Sequence, residues 1–163
     1  MAYQPAESGE LSDLDQPDAT EPVVLGRIDH VALAVRDAQA AAAHFAASLG
    51  LKVVGDEVVD AAGVRLMYLM PTEPDGCLLQ LVQPIQPGPV LDHLDRFGEG
   101  FHHLCFRCND LVRTLERIPG ESTAAIFAGG GGAPCAFLPT PIHGARIELM
   151  EKTENSPIDG VDR

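Results

Sequence analysis

Two stretches of the chain read alike: Ile28-Asp-His-Val-Ala-Leu-Ala-Val-Arg-Asp37 and Phe101-His-His-Leu-Cys-Phe-Arg-Cys-Asn-Asp110. Aligned on His30 and His103, each opens on a histidine, continues as a mostly apolar run suited to a buried strand, and ends on an aspartate placed to cap a helix. The continuations match as well. Asp37 to Leu49 is Ala-rich and closes at Gly50, while Leu111 to Ile118 is a shorter helix stopped by Pro119-Gly120.

Beyond each helix the halves stay in step. Strands are expected at 51–58, 64–70 and 77–83 in the first half, and near 123–127, 134–138 and 145–151 in the second. Each half is therefore a βαβββ module, and the fold class is α+β, with two such modules forming one curved mixed sheet. The organisation that follows is a disordered acidic tail (1–25), a first module (26–84), a linker with a short helix near 89–96 (85–100), a second module (101–151) and a polar C-terminal tail (152–163).

Strand alternation decides which side chains meet. Val31, Leu33, Leu79, Leu81, Ile147 and Leu149 form an apolar set that would pack against the helices. The other face carries His30, Gln80, His103 and Glu148. A polar residue at matching places in four strands is costly unless the four satisfy one another or a ligand. Two imidazoles, a carboxylate and an amide oxygen suit a divalent ion such as Co²⁺, Ni²⁺, Mn²⁺, Fe²⁺ or Zn²⁺. The plainer alternative is a buried hydrogen-bonded network without metal.

These residues resemble the vicinal oxygen chelate (glyoxalase-like) superfamily and, within it, the methylmalonyl-CoA epimerase family. The resemblance covers about residues 26–151. It rests on Ile28-Asp-His-Val-Ala, Gly98-Glu-Gly-Phe-His-His, Leu79-Gln-Leu-Val-Gln-Pro84, Gly63-Val64 and Ile147-Glu-Leu-Met-Glu151. It implies metal ligands at His30, Gln80, His103 and Glu148, with Glu148 also the catalytic base. It further implies an isomerase acting on a 2-substituted acyl substrate, a CoA thioester such as methylmalonyl-CoA by default, and a homodimer. Of the adjacent histidines, His103 is the expected ligand because it aligns with His30, and His102 should point to the opposite face.

The chain also departs from that pattern. Where several epimerases place a second acid, three residues after the Gly-Val glycine, this chain has Leu66; Asp60, Glu57 or a metal-bound water are the alternatives. The family's loop before the last strand is replaced by Pro139-Thr-Pro-Ile-His143. These departures keep open a metal-dependent lyase, cyclase or other isomerase. An Fe²⁺ extradiol oxygenase and a small-molecule-binding, resistance-type protein are further alternatives. Gly129–Gly132 reads as an inter-strand loop or a flap at the site's mouth, and Arg107 as a partner for a substrate carboxylate or as a solvated side chain.

Charge and composition exclude other classes. The net charge is −13, which argues against a nucleic-acid partner, since phosphate binding draws on clustered cations. Glu7, Glu10, Asp13, Asp15, Asp18 and Glu21 lie in a stretch without Lys or Arg, so much of the acidity belongs to the N-terminal tail. No apolar run approaches the roughly 20 residues of a membrane span, which leads us to expect a soluble, cytoplasmic protein. Cys105 and Cys108 have C-x-x-C spacing, but on a strand this offset puts them on opposite faces. They and Cys77 and Cys135 are expected to be buried structural thiols.

Overall fold

The computed structural model describes residues 23–73, 76–122 and 124–152. The two expected tails, 1–25 and 152–163, fall almost wholly outside these described residues. The first module runs β1 (Ile28–Ala34), α1 (Ala38–Leu49), β2 (Lys52–Val59), β3 (Val64–Met70) and β4 (Leu78–Pro84). A connecting helix, α2 (Pro89–Phe97), leads to β5 (Gly100–Cys108), α3 (Leu111–Arg117), β6 (Ile126–Ala128), β7 (Pro134–Phe137) and β8 (Ile147–Glu151).

All eight strands form one sheet in the order β2-β3-β4-β1-β5-β8-β7-β6. The order within the two halves is the same, counted outward from the centre. β1 pairs with β4 in parallel and β5 with β8 in parallel, and the halves join through the antiparallel β1–β5 pair. This is the curved mixed sheet of two βαβββ modules that the repeat predicted.

Local signals account for the helices. Asp37 caps α1 by accepting from the Ala40 N–H, and Gly50 closes it in the left-handed region at φ 71°. Asp110 does the same for α3 through Arg113 N–H. The outer face of the sheet is sealed by these helices. Leu33, Leu79 and Leu81 pack with Ala38, Ala42 and Phe45 of α1, and Ile147 and Leu149 pack with Leu111 and Leu115 of α3. The inner face carries a second apolar layer, Ala32, Val64, Leu66, Tyr68, Leu78 and Val82, and a smaller one of Cys105, Ala133, Cys135 and Met150.

The entry to β5 explains part of the Gly-Glu-Gly-Phe-His-His element. Gly98 and Gly100 sit at φ 79° and 147°, a region disfavoured for residues with a Cβ. Between them, the Glu99 carboxylate accepts from the Arg36 backbone N–H at 2.6 Å, tying the start of β5 to the end of β1. Among the described residues, no helix is long and apolar enough to cross a membrane.

Candidate functional site

The two central strands do not pair evenly. The register runs Ile28↔Phe106 and then His30↔Cys105, and later Ala32↔His103 and then Leu33↔Phe101. Each module thus contributes one extra residue beside its histidine, around Asp29 in β1 and at His102 in β5. A bulge of this kind turns two successive side chains toward the same side of the sheet.

That geometry overturns the expected orientation of His102. Instead of facing the helices, it lines the same cavity as His103, and its Nδ1 lies 2.7 Å from the His103 Nδ1. Asp29 occupies the matching place in the first module, with Oδ1 2.8 Å from the His30 Nδ1. Each inward histidine is therefore held at Nδ1 by the residue just before it.

Holding Nδ1 turns Nε2 into the site. The Nε2 atoms of His30 and His103 are 3.3 Å apart, and they lie 3.4 and 3.1 Å from Glu148 Oε2. These three buried residues form the group among the described His, Cys, Asp and Glu side chains whose ligand atoms lie close enough to hold a metal ion. Gln80, on β4 beside Ala32, lines the same cavity. The Tyr68 hydroxyl donates to Glu57 Oε1 at 2.8 Å, and Tyr68 lies opposite Gln80 across the β3–β4 pair.

The donor set fits a cation. Burial opposes charge on His30, but its hydrogen bonds to Asp29 and Glu148 outweigh this and raise its pKa from 6.5 to about 9. Burial would likewise raise Glu148, yet its hydrogen bonds from His103 and His30 hold its carboxyl well below the usual range. The cluster thus draws a positive charge to its centre, and a bound cation would take the place of that proton. Burial and the neighbouring His103 and Arg146 push His102 down to about 3, so it is neutral. With an ion bound, a neutral His102 would accept the His103 Nδ1–H, so that the His103 Nε2 lone pair faces the ion in place of its hydrogen bond to Glu148.

Arg107 is neither solvated nor turned to a substrate. It is buried, and its Nε is bonded to Asp29 Oδ2, so it anchors the aspartate that orients His30. Cys105 and Cys108 do lie on opposite faces, in separate packed clusters. Cys77, by contrast, is exposed, at the residue just before β4.

The cavity has a volume of about 360 Å³. One end holds Gln80, His102, His103, Arg146 and Glu148, and the rest is lined by apolar side chains including Val64, Leu66 and Phe127. Leu66 is 6% exposed and faces this space. Neither Glu57 nor Asp60 is among its lining residues. Glu57 is instead committed to Tyr68 and to the Gly131 N–H at 3.1 Å. The glycine-rich segment is thus a short turn fastened across the sheet's open side, with Gly131 at φ 63° and Gly129 and Gly130 on the cavity wall. Only glycine fits at 130, because a Cβ there would come within 1.9 Å of the Tyr68 hydroxyl.

Sequence reasoning passed over Arg146. It lies two residues before Glu148, an offset that places both on one face of an extended segment, and this spacing was the available signal.

The chain is similar to known epimerases along most of its length. It is 30% identical over 137 residues to an ethylmalonyl-CoA/methylmalonyl-CoA epimerase of Cereibacter sphaeroides, covering 78% of this chain and 99% of that one. It is 28% identical over 134 residues to the human mitochondrial methylmalonyl-CoA epimerase, covering 78% of this chain and 74% of that protein. A solved structure of a Streptomyces coelicolor methylmalonyl-CoA epimerase variant, in complex with 2-nitronate-propionyl-CoA, superposes with a TM-score of 0.70 at 28% identity, covering 82% of this chain and 99% of that chain. The family model for the Glyoxalase/Bleomycin resistance protein/Dioxygenase superfamily matches residues 29–137. On the shared fold and on that match, the chain belongs to this superfamily, the vicinal oxygen chelate proteins.

Proposed function

We propose that the protein is a divalent-metal-dependent epimerase that removes and returns the proton between the thioester carbonyl and the carboxylate of a 2-substituted acyl-CoA of the methylmalonyl-CoA kind. The observation that carries this reading is the convergence of His30 Nε2, His103 Nε2 and Glu148 Oε2 on one point, with His103 and Glu148 on the wall of a largely apolar cavity. The similarity to epimerases of both bacterial and human origin supports it.

His30, Gln80, His103 and Glu148 would hold the ion. When bound, it supplies Lewis-acid stabilisation of the charge that builds on the carbonyl oxygens as the proton leaves, an effect worth several kcal/mol. Asp29 and His102 keep both imidazoles in the tautomer that presents Nε2. Glu148 is held ionised by its histidine neighbours, so it is in the form that accepts a proton. A carboxylate engaged through one oxygen keeps a second for that purpose. Proton transfer of this kind contributes typically about 10²- to 10⁴-fold. The apolar wall from Val64 to Phe127 takes the 2-alkyl group and keeps bulk water from the reacting carbon.

With Leu66 in place, the described cavity wall carries a single carboxylate. That observation favours, as a second reading, an isomerase or lyase whose reaction needs one base and no acid on the opposite face.

Incubating metal-loaded protein with (2S)- or (2R)-methylmalonyl-CoA in D₂O tests the proposal. Deuterium at the 2-carbon together with interconversion of the isomers is the expected result. Exchange without inversion would move the assignment to the second reading, and neither process would overturn it for this substrate.

A further inference from the structure

Among the described residues, Arg146 is the one cation on the cavity wall. Leu104 N–H donates to the Arg146 carbonyl at 3.0 Å, which extends the β5–β8 pairing by a residue and sets the Arg146 side chain on the Glu148 face. Its guanidinium lies over the Phe137 ring, with Cζ 4.2 Å from the centroid. Its Nη1 is 3.4 Å from His102 Nε2, longer than a charge-assisted hydrogen bond.

Other arginines of the chain are matched to carboxylates: Arg36 to Asp95, Arg65 to Asp56, Arg107 to Asp29 and Arg113 to Asp110. Among the described residues, Arg146 has no carboxylate within ion-pair distance. It is half-buried. Taking a guanidinium out of water without a counter-charge is costly, and the stacking on Phe137 offsets only part of that cost. The planar fork of N–H groups is suited to a carboxylate, which it can grip through both oxygens.

Position decides what the anion is. Arg146 sits one imidazole ring from His103, at the same end as Glu148, where the reacting end of an acyl group would lie and not the phosphates of the CoA arm. We infer that Arg146 is the subsite for the carboxylate borne on the reacting carbon, and that it selects 2-carboxyacyl thioesters over plain acyl thioesters. The inference rests on the epimerase reading for the identity of the substrate, but its test does not depend on turnover.

The test measures binding of malonyl-CoA, propionyl-CoA and CoA to the metal-loaded wild type and to Arg146→Met and Arg146→Lys by calorimetry, with (2S)-methylmalonyl-CoA turnover followed alongside. Losing a charge-assisted pair worth about 1.5–3 kcal/mol, Arg146→Met should bind malonyl-CoA about 10- to 100-fold more weakly. Propionyl-CoA and CoA should be held within about twofold of wild type, as neither has the carboxylate. Arg146→Lys keeps the charge and should recover part of the loss, which a merely structural role would not show. An equal loss for all three ligands, or none for malonyl-CoA, would overturn the inference. If the carboxylate preference is lost in Arg146→Met while the wild type leaves methylmalonyl-CoA unchanged, the subsite stands and the epimerase reading fails. If the wild type turns over normally and Arg146→Met keeps its KM and its malonyl-CoA affinity, the epimerase reading stands and the subsite fails.

Discussion

Asp29 and His30 are neighbours in sequence whose side chains meet, Oδ1 to Nδ1, at 2.8 Å. Adjacent residues on a regular strand point apart, so the contact exists only because β1 is bulged against β5 at this point. Its effect is to fix the proton of His30 on Nδ1 and to present Nε2 to Glu148 and His103.

Asp29→Asn should therefore weaken metal binding while leaving the ligand atoms in place. Loss of such an orienting partner typically costs about 10- to 100-fold in affinity. Both Asp29→Asn and Asp29→Ala remove the carboxylate charge facing the buried Arg107, so both should lower stability, by about 3 kcal/mol, and Asp29→Ala also takes away the acceptor for His30 Nδ1–H. Metal titration and denaturant unfolding of the two variants separate the effects. Wild-type affinity in Asp29→Asn would remove Asp29 from the account.

The pH dependence of stability should differ between the metal-free and loaded forms. In the metal-free protein the pKa of His30 is raised from 6.5 to about 9. Its contribution, on the order of 3 kcal/mol, is complete below about pH 6.5 and is lost as pH rises through about 9. With an ion bound, His30 is neutral, so protons compete with metal and the loaded form should instead lose stability toward acid. Unfolding from pH 6 to 9.5 with and without chelator should show opposite slopes for the two forms, and parallel slopes would contradict the account.

Gly130 lies so close to the Tyr68 hydroxyl and to Glu57 Oε1 that a methyl group there would collide with both. Gly130→Ala should displace the turn that Glu57 fastens through Gly131 N–H, at about 1–3 kcal/mol of stability. Thermal unfolding and amide exchange of residues 129–133 report this directly. Unchanged protection in the variant would show that the turn is not held by these contacts.

Leu66 leaves inversion without a second carboxylate on the described cavity wall. Solvent deuterium should therefore enter the 2-carbon with retention faster than the isomers interconvert. Leu66→Glu should shift the balance toward inversion, at a cost in stability from burying a carboxyl group. Proton NMR of both processes in D₂O measures the ratio, and equal ratios in the two proteins would contradict the single-carboxylate cavity.

The legibility of the chain follows the same physics. Helix ends were readable because Asp37, Gly50, Asp110 and Pro119 act locally, through caps and a missing N–H. Strand faces were readable because a period of two survives in Leu79, Leu81, Ile147 and Leu149. The bulges at Asp29 and His102 were not, since a single extra residue depends on which strand lies alongside. That is why strand alternation alone turns His102 to the wrong face and leaves Arg107 without its partner. Arg146 falls within the strand expected at 145–151, but what makes it notable is assembled from Phe137 and His102, which lie on other strands.

The central claim is that His30, Gln80, His103 and Glu148 converge on one divalent ion. Anomalous diffraction from crystals grown with Co²⁺ tests it most directly. The account predicts a single strong peak about 2.0–2.2 Å from His30 Nε2, His103 Nε2, Glu148 Oε2 and the Gln80 carbonyl oxygen. No peak there, or a peak bound by other side chains, would contradict it.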